Sequence, residues 1–249
     1  MKNETNRVLN DVAFSVYAPV ELTATQKVLQ LQVSHEYTLE KDKYHNQVMH
    51  FTYDRLAPFE SRIVRVRAEL AMAEEPNAYP NMQAKSFIQA EAFVESDHSK
   101  IISLSEKLTK KTEQQTLQSF FDFVGHQITY SGYIKEDRGA LYALTEKSGD
   151  CTEFTYLFNA LSRASSIPSR AIGGYVYNGN ATFKQKDYHN WSEVFVDDTW
   201  RIVDSQNKIF MTQLSDFIAM RIITPEADAL LKNSHQFAYF SEGISIRMN

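Results

Sequence analysis

The hydrophobic period of the sequence changes twice along the chain, and this change constrains the fold more than any other feature. Residues 29–34, 47–53 and 62–70 alternate apolar and polar side chains, as strands with one buried face do. From about residue 97 apolar residues recur at helical spacing, and beyond residue 170 the period of two returns. Strands, then helices, then strands indicate an α+β fold class with an antiparallel sheet.

Two modules are predicted from this pattern. Residues 1–95 read as a β-rich domain, a small antiparallel sandwich, because several short strands are separated by turn-forming segments. The segment 74–81 contains two prolines and marks the approximate end of that domain. Residues 96–249 form the second domain, in which helices pack on an antiparallel sheet.

Three helices are predicted in the second module. Ser96, Asp97 or Ser99 is expected to cap the first helix, and the second covers residues 112–124. The third begins near the single cysteine and ends before Pro168, because proline disfavours helical geometry in the residue that precedes it.

Composition excludes two classes of partner. The 249 residues are 43% hydrophobic and 23% charged, as in ordinary globular proteins. A formal net charge of -5 without a clustered basic face argues against nucleic-acid binding. No apolar run approaches the ~20 residues that cross a bilayer. No apolar segment follows the basic residues at the N-terminus, so we expect no signal peptide and a cytoplasmic protein.

The single cysteine, Cys151, excludes an intramolecular disulfide and a zinc-binding cysteine pair. A lone cysteine is most often a small buried hydrophobe. Here, however, Gly149 and Asp150 suit a turn and a helix cap, and apolar residues then recur at helical spacing from Phe154 to Leu161. Cys151 therefore falls in a first helical turn, where unpaired N–H groups and the helix dipole favour a thiolate and a developing oxyanion.

A thiolate nucleophile needs a base and a group that orients the base, and His189 and Asp204 fit these roles. Residues 189–196 and 199–204 read as the strands of a hairpin with a two-residue turn, so Val196 pairs with Thr199. That register places Asp204 diagonally next to His189 on one face of the sheet. Taken singly, each residue is more often a strand-end histidine or a turn aspartate.

Several separated blocks resemble the core of the transglutaminase-like superfamily, in the family's order of Cys, His and Asp. They are Gly149-Asp150-Cys151, Leu161-Ser162-Arg163-Ala164, Ile167-Pro168-Ser169-Arg170, Gly173-Gly174-Tyr175, His189-Asn190-Trp191 and Trp200-Arg201-Ile202-Val203-Asp204. The resemblance covers about residues 98–210 and implies a papain-like core whose catalytic triad is Cys151, His189 and Asp204. The β-rich N-terminal segment is similar to the β domain that precedes this core in some bacterial members.

Three aromatic residues are further candidates for the site. Tyr130 and Tyr133 are candidates for lining the cleft, and Tyr130 for donating to the oxyanion; the alternative is an aromatic core or rim position. Trp191 is a cleft candidate whose alternative is the core of the sheet. The seven histidines and the cysteine form no metal-ligand pattern, so neither a metal nor a cofactor is expected.

The function expected from these residues is acyl chemistry on an amide bond of a peptide or protein substrate. Water as acceptor gives a peptidase or amidase, which we favour because bacterial proteins that resemble this one are more often assigned as protease-like. An amine acceptor instead gives a transglutaminase or another amide-forming acyltransferase. From a different class, a non-catalytic binding module or scaffold on the same fold stays open. The oligomeric state is left open by the sequence.

Overall fold

The computed structural model describes residues 1–77, 81–133, 136–177, 179–212, 214–224, 230–231, 237–239 and 241–248. Its α-helices are α1 (Ser99–Leu108), α2 (Glu113–Gln127), α3 (Ala140–Glu146) and α4 (Cys151–Ala164). Its strands are β1 (Lys2–Asn3), β2 (Leu9–Ala18), β3 (Gln26–Val33), β4 (Thr38–Lys41), β5 (Gln47–Leu56), β6 (Val66–Met72), β7 (Thr129–Tyr130), β8 (Ser148–Gly149), β9 (Ser169–Val176), β10 (His189–Val196), β11 (Thr199–Asp204), β12 (Ile209–Phe210), β13 (Phe217–Ile223), β14 (Phe237–Tyr239) and β15 (Ile244–Ser245). Within these ranges, no helix is both long and apolar enough to cross a membrane.

The N-terminal region is rich in strands, as the alternating pattern predicts. Strands β14, β2, β5 and β4 form an antiparallel sheet in that order, and β3 pairs with β6 in a second sheet. Phe14 and Phe51 stack at 4.9 Å between ring centroids, and Leu31 and Val33 of the second sheet pack against the same core. Two facing sheets thus bury one apolar layer.

The C-terminal strands pair with the N-terminal ones. β14 adds to the free edge of β2, and β15 pairs with β1. These contacts join strands that are more than 200 residues apart in sequence, so no local sequence pattern predicts them. The division of the chain at residue 95 stays a prediction.

A five-stranded antiparallel sheet carries the second region, with the order β12-β11-β10-β9-β13. Helix α4 lies on one face of this sheet, and the other three helices pack around α4. The predicted apolar stripe from Phe154 to Leu161 is buried, but residues 152–163 are buried on every side of the helix. The expected α+β architecture is confirmed.

The opposite face of this sheet packs on the N-terminal region. Trp200 and Phe217 from the sheet share a buried cluster with Val20, Tyr44 and Phe87. The ring of Phe87 meets that of Trp200 edge-on at 5.8 Å between centroids. The sheet is therefore covered on both faces, by helices on one side and by the N-terminal region on the other.

An ion pair lies inside the sheet. The Arg170 guanidinium donates from Nε and Nη2 to Oε2 of Glu193 at 2.8 and 2.7 Å, across the β9–β10 register. Both side chains are at most 1% exposed, and the guanidinium lies 4.0 Å from the centroid of the Trp200 ring. Burial this complete, with a stacked ring, indicates a structural role for the pair.

Three local features differ from the sequence expectations. His98, rather than Ser96, Asp97 or Ser99, caps α1 through its side chain. The predicted strand 62–70 begins its ladder only at β6. Helix α3 was not predicted, because its seven residues are too few for a periodic stripe and a distant residue stabilises its start: the Glu95 carboxylate accepts its first two backbone N–H groups.

Candidate active site

Cys151 is the first residue of α4 and is partly exposed. The cap is Asp150, as predicted: its Oδ1 accepts the N–H of Thr152 at 2.8 Å. Glu153 completes a capping box, since its Oε2 accepts the N–H of Asp150 at 3.0 Å. The thiol therefore sits where the positive end of the helix dipole favours an anion.

Gly149 allows the chain to enter this cap. A Cβ on Gly149 would lie 2.3 Å from the Cβ of Glu153, closer than side chains approach one another. β8, which contains Gly149, pairs in parallel with β7, and this pairing sets Tyr130 opposite Gly149. The short element before the nucleophile thus fixes the path of the chain into α4.

The hairpin β10–β11 carries the other two predicted residues. Val196 pairs with Thr199, and the turn residues Asp197 and Asp198 have φ of 51° and 58°. Two successive residues at positive φ are what a two-residue type I′ turn requires. The predicted register is therefore confirmed, and it brings the end of β11 beside the start of β10.

The structure brings Cys151, His189 and Asp204 together. Nε2 of His189 lies 2.7 Å from Oδ2 of Asp204, whose side chain is 2% exposed. The Cys151 side chain lies near enough to the imidazole to help raise its pKa. Because Nε2 faces the carboxylate, Nδ1 is the ring nitrogen that can exchange a proton with the Cys151 thiol.

The same contacts set the charge of the imidazole. Burial alone lowers the pKa of His189, but the hydrogen bonds to Asp204 and Cys151 and the negative charges of both outweigh burial and raise it to about 10. At neutral pH the ring is therefore an imidazolium beside the sulfur. A positive charge at that place favours the thiolate.

The free energy of unfolding is expected to depend on pH through His189. Its pKa is about 10 in the folded protein against about 6.5 unfolded, so the stabilisation is complete below pH ~6.5 and is lost as the pH rises toward ~10. We expect the difference in unfolding free energy between wild type and His189→Gln to shrink by roughly 2–4 kcal/mol from pH 6 to pH 9.5. Urea denaturation at both pH values measures it; an unchanged difference would contradict the assignment.

β9 approaches β10 closely at two glycines. Gly174 pairs with His189 and Gly173 with Asn190. A Cβ on Gly173 would lie 2.0 Å from the hydroxyl of Tyr188, and one on Gly174 would lie 2.0 Å from a backbone oxygen of β13. A side chain at either position would force its neighbours to move, so glycine allows β9 to lie close to the strands on both of its sides.

Asn190 was not predicted to help hold the site. Its side chain is 4% exposed, and Nδ2 donates to Oγ1 of Thr152 at 2.9 Å. This bond joins the residue after His189 to the residue after Cys151. The bond thus links α4, which begins at Cys151, directly to β10, which begins at His189.

The three aromatic candidates lie in different surroundings. Tyr130 is 54% exposed and pairs with Gly149, two residues before Cys151. Tyr133 is 82% exposed. Trp191 is 1% exposed, with its ring 6.4 Å from that of His189 and nearly parallel to it. Trp191 therefore lies in the core of the sheet, the alternative given for it, while a contact of Tyr130 or Tyr133 with substrate stays a prediction.

Asn207 is a site residue that the sequence did not reveal. Its Nδ2 lies 2.8 Å from Oδ2 of Asp204 and 3.1 Å from Nε2 of His189. An exposed asparagine in a turn gives no signal beyond the turn itself. In the part of the chain that the structure describes, no group of three or more His, Cys, Asp or Glu side chains could hold a metal ion.

A comparison with protein families finds a match over the segment that carries the candidate site. Residues 102–205 match the sequence profile of the transglutaminase-like superfamily. This segment runs from α1 to the residue after Asp204 and contains all three predicted triad residues. No curated protein matches the sequence.

One solved structure shows the same fold, and a second is similar over part of its path. One, from Cytophaga hutchinsonii and described as a "putative cysteine protease", superposes with a TM-score of 0.65 over 95% of this chain and 82% of that one, at 20% identity. The periplasmic domain of TgpA from Pseudomonas aeruginosa has a TM-score of 0.46 and 14% identity, over 81% of this chain and 91% of that one. At such identity the Cytophaga structure shows the fold, and the activity has to be argued from the site.

Proposed function

We propose that this chain, whose residues 102–205 are a transglutaminase-like segment, is a thiol enzyme that cleaves amide bonds with Cys151, His189 and Asp204. The observation that carries the proposal is the chain of contacts from Asp204 through His189 to Cys151 at the start of α4. This succession supports the roles of nucleophile, base and orienting group that a covalent mechanism needs.

In the first step the sulfur attacks the amide carbonyl. The Cys151 proton already resides on His189 in its imidazolium form, so the thiolate forms a bond to the carbonyl carbon while the electron pair of the C=O bond moves to oxygen. The peptide dipoles at the start of α4 point toward that negative charge and stabilise it. Asp204 holds the imidazolium in place and balances its charge.

In the second step the tetrahedral intermediate collapses. The carbon–nitrogen bond breaks, the imidazolium of His189 gives its proton to the leaving amine, and a thioester to Cys151 remains. Water then attacks the thioester, His189 takes a proton from that water, and the thiolate leaves. The sum is amide plus water giving a carboxylic acid and an amine.

We propose water rather than an amine as the acceptor, in keeping with the name of the Cytophaga structure. An amine in place of water would form a new amide from the same thioester. The two outcomes share every residue named above, so they differ only in what reaches the thioester.

Intact-protein mass spectrometry tests the proposal. Wild type and Cys151→Ala are incubated with a panel of peptides, with and without a primary amine. We expect an acyl adduct on the segment that contains Cys151 in the wild type alone, and peptide fragments that end in a free carboxylate. Fragments that carry the added amine would assign transfer instead of hydrolysis. Equal peptide turnover by both proteins would overturn the proposal.

A further inference from the structure

We propose that Asn207 is a positioning residue, which fixes the Asp204 carboxylate in the orientation that His189 requires. Because Asn207 acts through Asp204, this inference rests on the proposed function. It adds a fourth residue to the machinery, one that contacts neither the nucleophile nor the substrate.

Asn207 binds both oxygens of the Asp204 carboxylate. Its backbone N–H donates to Oδ1 at 3.1 Å, and its side-chain Nδ2 donates to Oδ2 at 2.8 Å. Oδ2 is also the oxygen that lies 2.7 Å from Nε2 of His189. Rotation of the carboxylate would therefore break its bonds to Asn207 and to His189 together.

The chemistry of the carboxylate determines the orientation of the amide. An ionised carboxylate only accepts hydrogen bonds, so the nitrogen of the Asn207 amide, and not its oxygen, must face Oδ2. Oδ2 then receives two donors, one from Asn207 and one from Nε2–H of His189. This arrangement keeps the proton on Nε2 in the neutral ring and leaves Nδ1 free to take the Cys151 proton.

The turn that carries Asn207 is itself held in place. Asp204 pairs with Ile209 where β11 meets β12, which closes the turn around Asn207. Helix α2 packs against the same turn at Gly125, where a Cβ would lie 3.1 Å from the backbone oxygen of Ser205. Asn207 is exposed, so its side chain can be changed without opening a cavity in the core.

The test is the pH dependence of Cys151 alkylation by iodoacetamide, which needs no knowledge of the substrate. Second-order rate constants at pH 6 and pH 9.5 are compared for wild type and Asn207→Ala. Their ratio reports the charge state of the Cys151–His189 pair and is insensitive to overall reactivity. Lys208→Asn is the control: Lys208 has φ of 60°, a conformation that asparagine adopts readily, and it lies in the same turn.

We expect the pH 6 to pH 9.5 rate ratio of Asn207→Ala to fall about tenfold, because a hydrogen bond to a charged group is lost. Lys208→Asn should match wild type, and the thermal unfolding midpoints should stay within about 2 °C.

Three outcomes overturn the inference, and they can be told apart. A wild type with a high pH 6 rate and an Asn207→Ala variant with the same profile would remove Asn207 from the machinery and leave the triad intact. A wild-type profile like that of a free thiol, whose rate at pH 6 is a small fraction of that at pH 9.5, would overturn the triad and the role of Asn207 together. A lower melting midpoint with an unchanged profile would show a merely structural residue and also reject the proposal.

Discussion

Replacing His189 with alanine is expected to lower the turnover of amide substrates by at least about 10³-fold, because base and proton donor are lost together. The ring links the two other residues: its Nε2 lies 2.7 Å from the Asp204 carboxylate, and Cys151 is near enough to raise its pKa. Without the imidazolium, the thiolate at mildly acid pH loses the positive charge beside it.

Alkylation gives this prediction a second readout. In a free thiol with an ordinary pKa near 8.5, only about 1/300 of the molecules are in the thiolate form at pH 6. The ratio of alkylation rates at pH 6 and pH 9.5 should therefore drop on the order of 10²-fold in His189→Ala relative to wild type. His126→Ala is the matched control, since His126 is exposed on α2 and bonds its own helix. A His189→Ala protein with wild-type turnover would contradict the proposed base.

Glu193→Ala is expected to lower the free energy of unfolding by about 3–5 kcal/mol, the largest single effect on stability. The substitution leaves the Arg170 guanidinium inside the sheet without the carboxylate that accepts its Nε and Nη2 groups. Both side chains are almost completely buried, so water cannot replace the lost partner without disturbing the sheet. A loss of this size is a large fraction of the 5–15 kcal/mol typical of a folded domain.

The double variant Arg170→Met, Glu193→Leu separates charge from packing. An apolar pair of similar volume removes both charges, so most of the lost stability should return. Urea denaturation of wild type, Glu193→Ala and the double variant measures the three free energies. A cost below about 1 kcal/mol for Glu193→Ala would show that the charge is hydrated in the folded state.

The sequence predicted those parts of the site that depend on local rules. The cap at Asp150 follows from residue preference at a helix start, and the register that brings Asp204 to His189 follows from a two-residue turn. Both rules act over a few residues and leave a readable pattern. The α+β class followed from hydrophobic period, which is likewise local.

Elements that depend on distant partners could not be predicted in the same way. The edge strand β13 packs against β9 across about 40 residues, and β14 and β15 pair with strands at the opposite end of the chain. Asn207 is the clearest case in the site, because its importance comes from the position of Asp204 and not from its own neighbours in sequence. Such contacts are visible only in three dimensions.

The two-sided burial of the five-stranded sheet has a consequence for how the protein folds and varies. Since Trp200 and Phe217 lie against Phe87 and Tyr44, the surface that supports the hairpin of His189 is built jointly by both halves of the chain. The half that carries Cys151, His189 and Asp204 has no solvent-exposed surface on that side of the sheet. This half is therefore not expected to fold when it is separated from the N-terminal region. An exchange of the N-terminal region between relatives must preserve the shape of the surface that the two halves share.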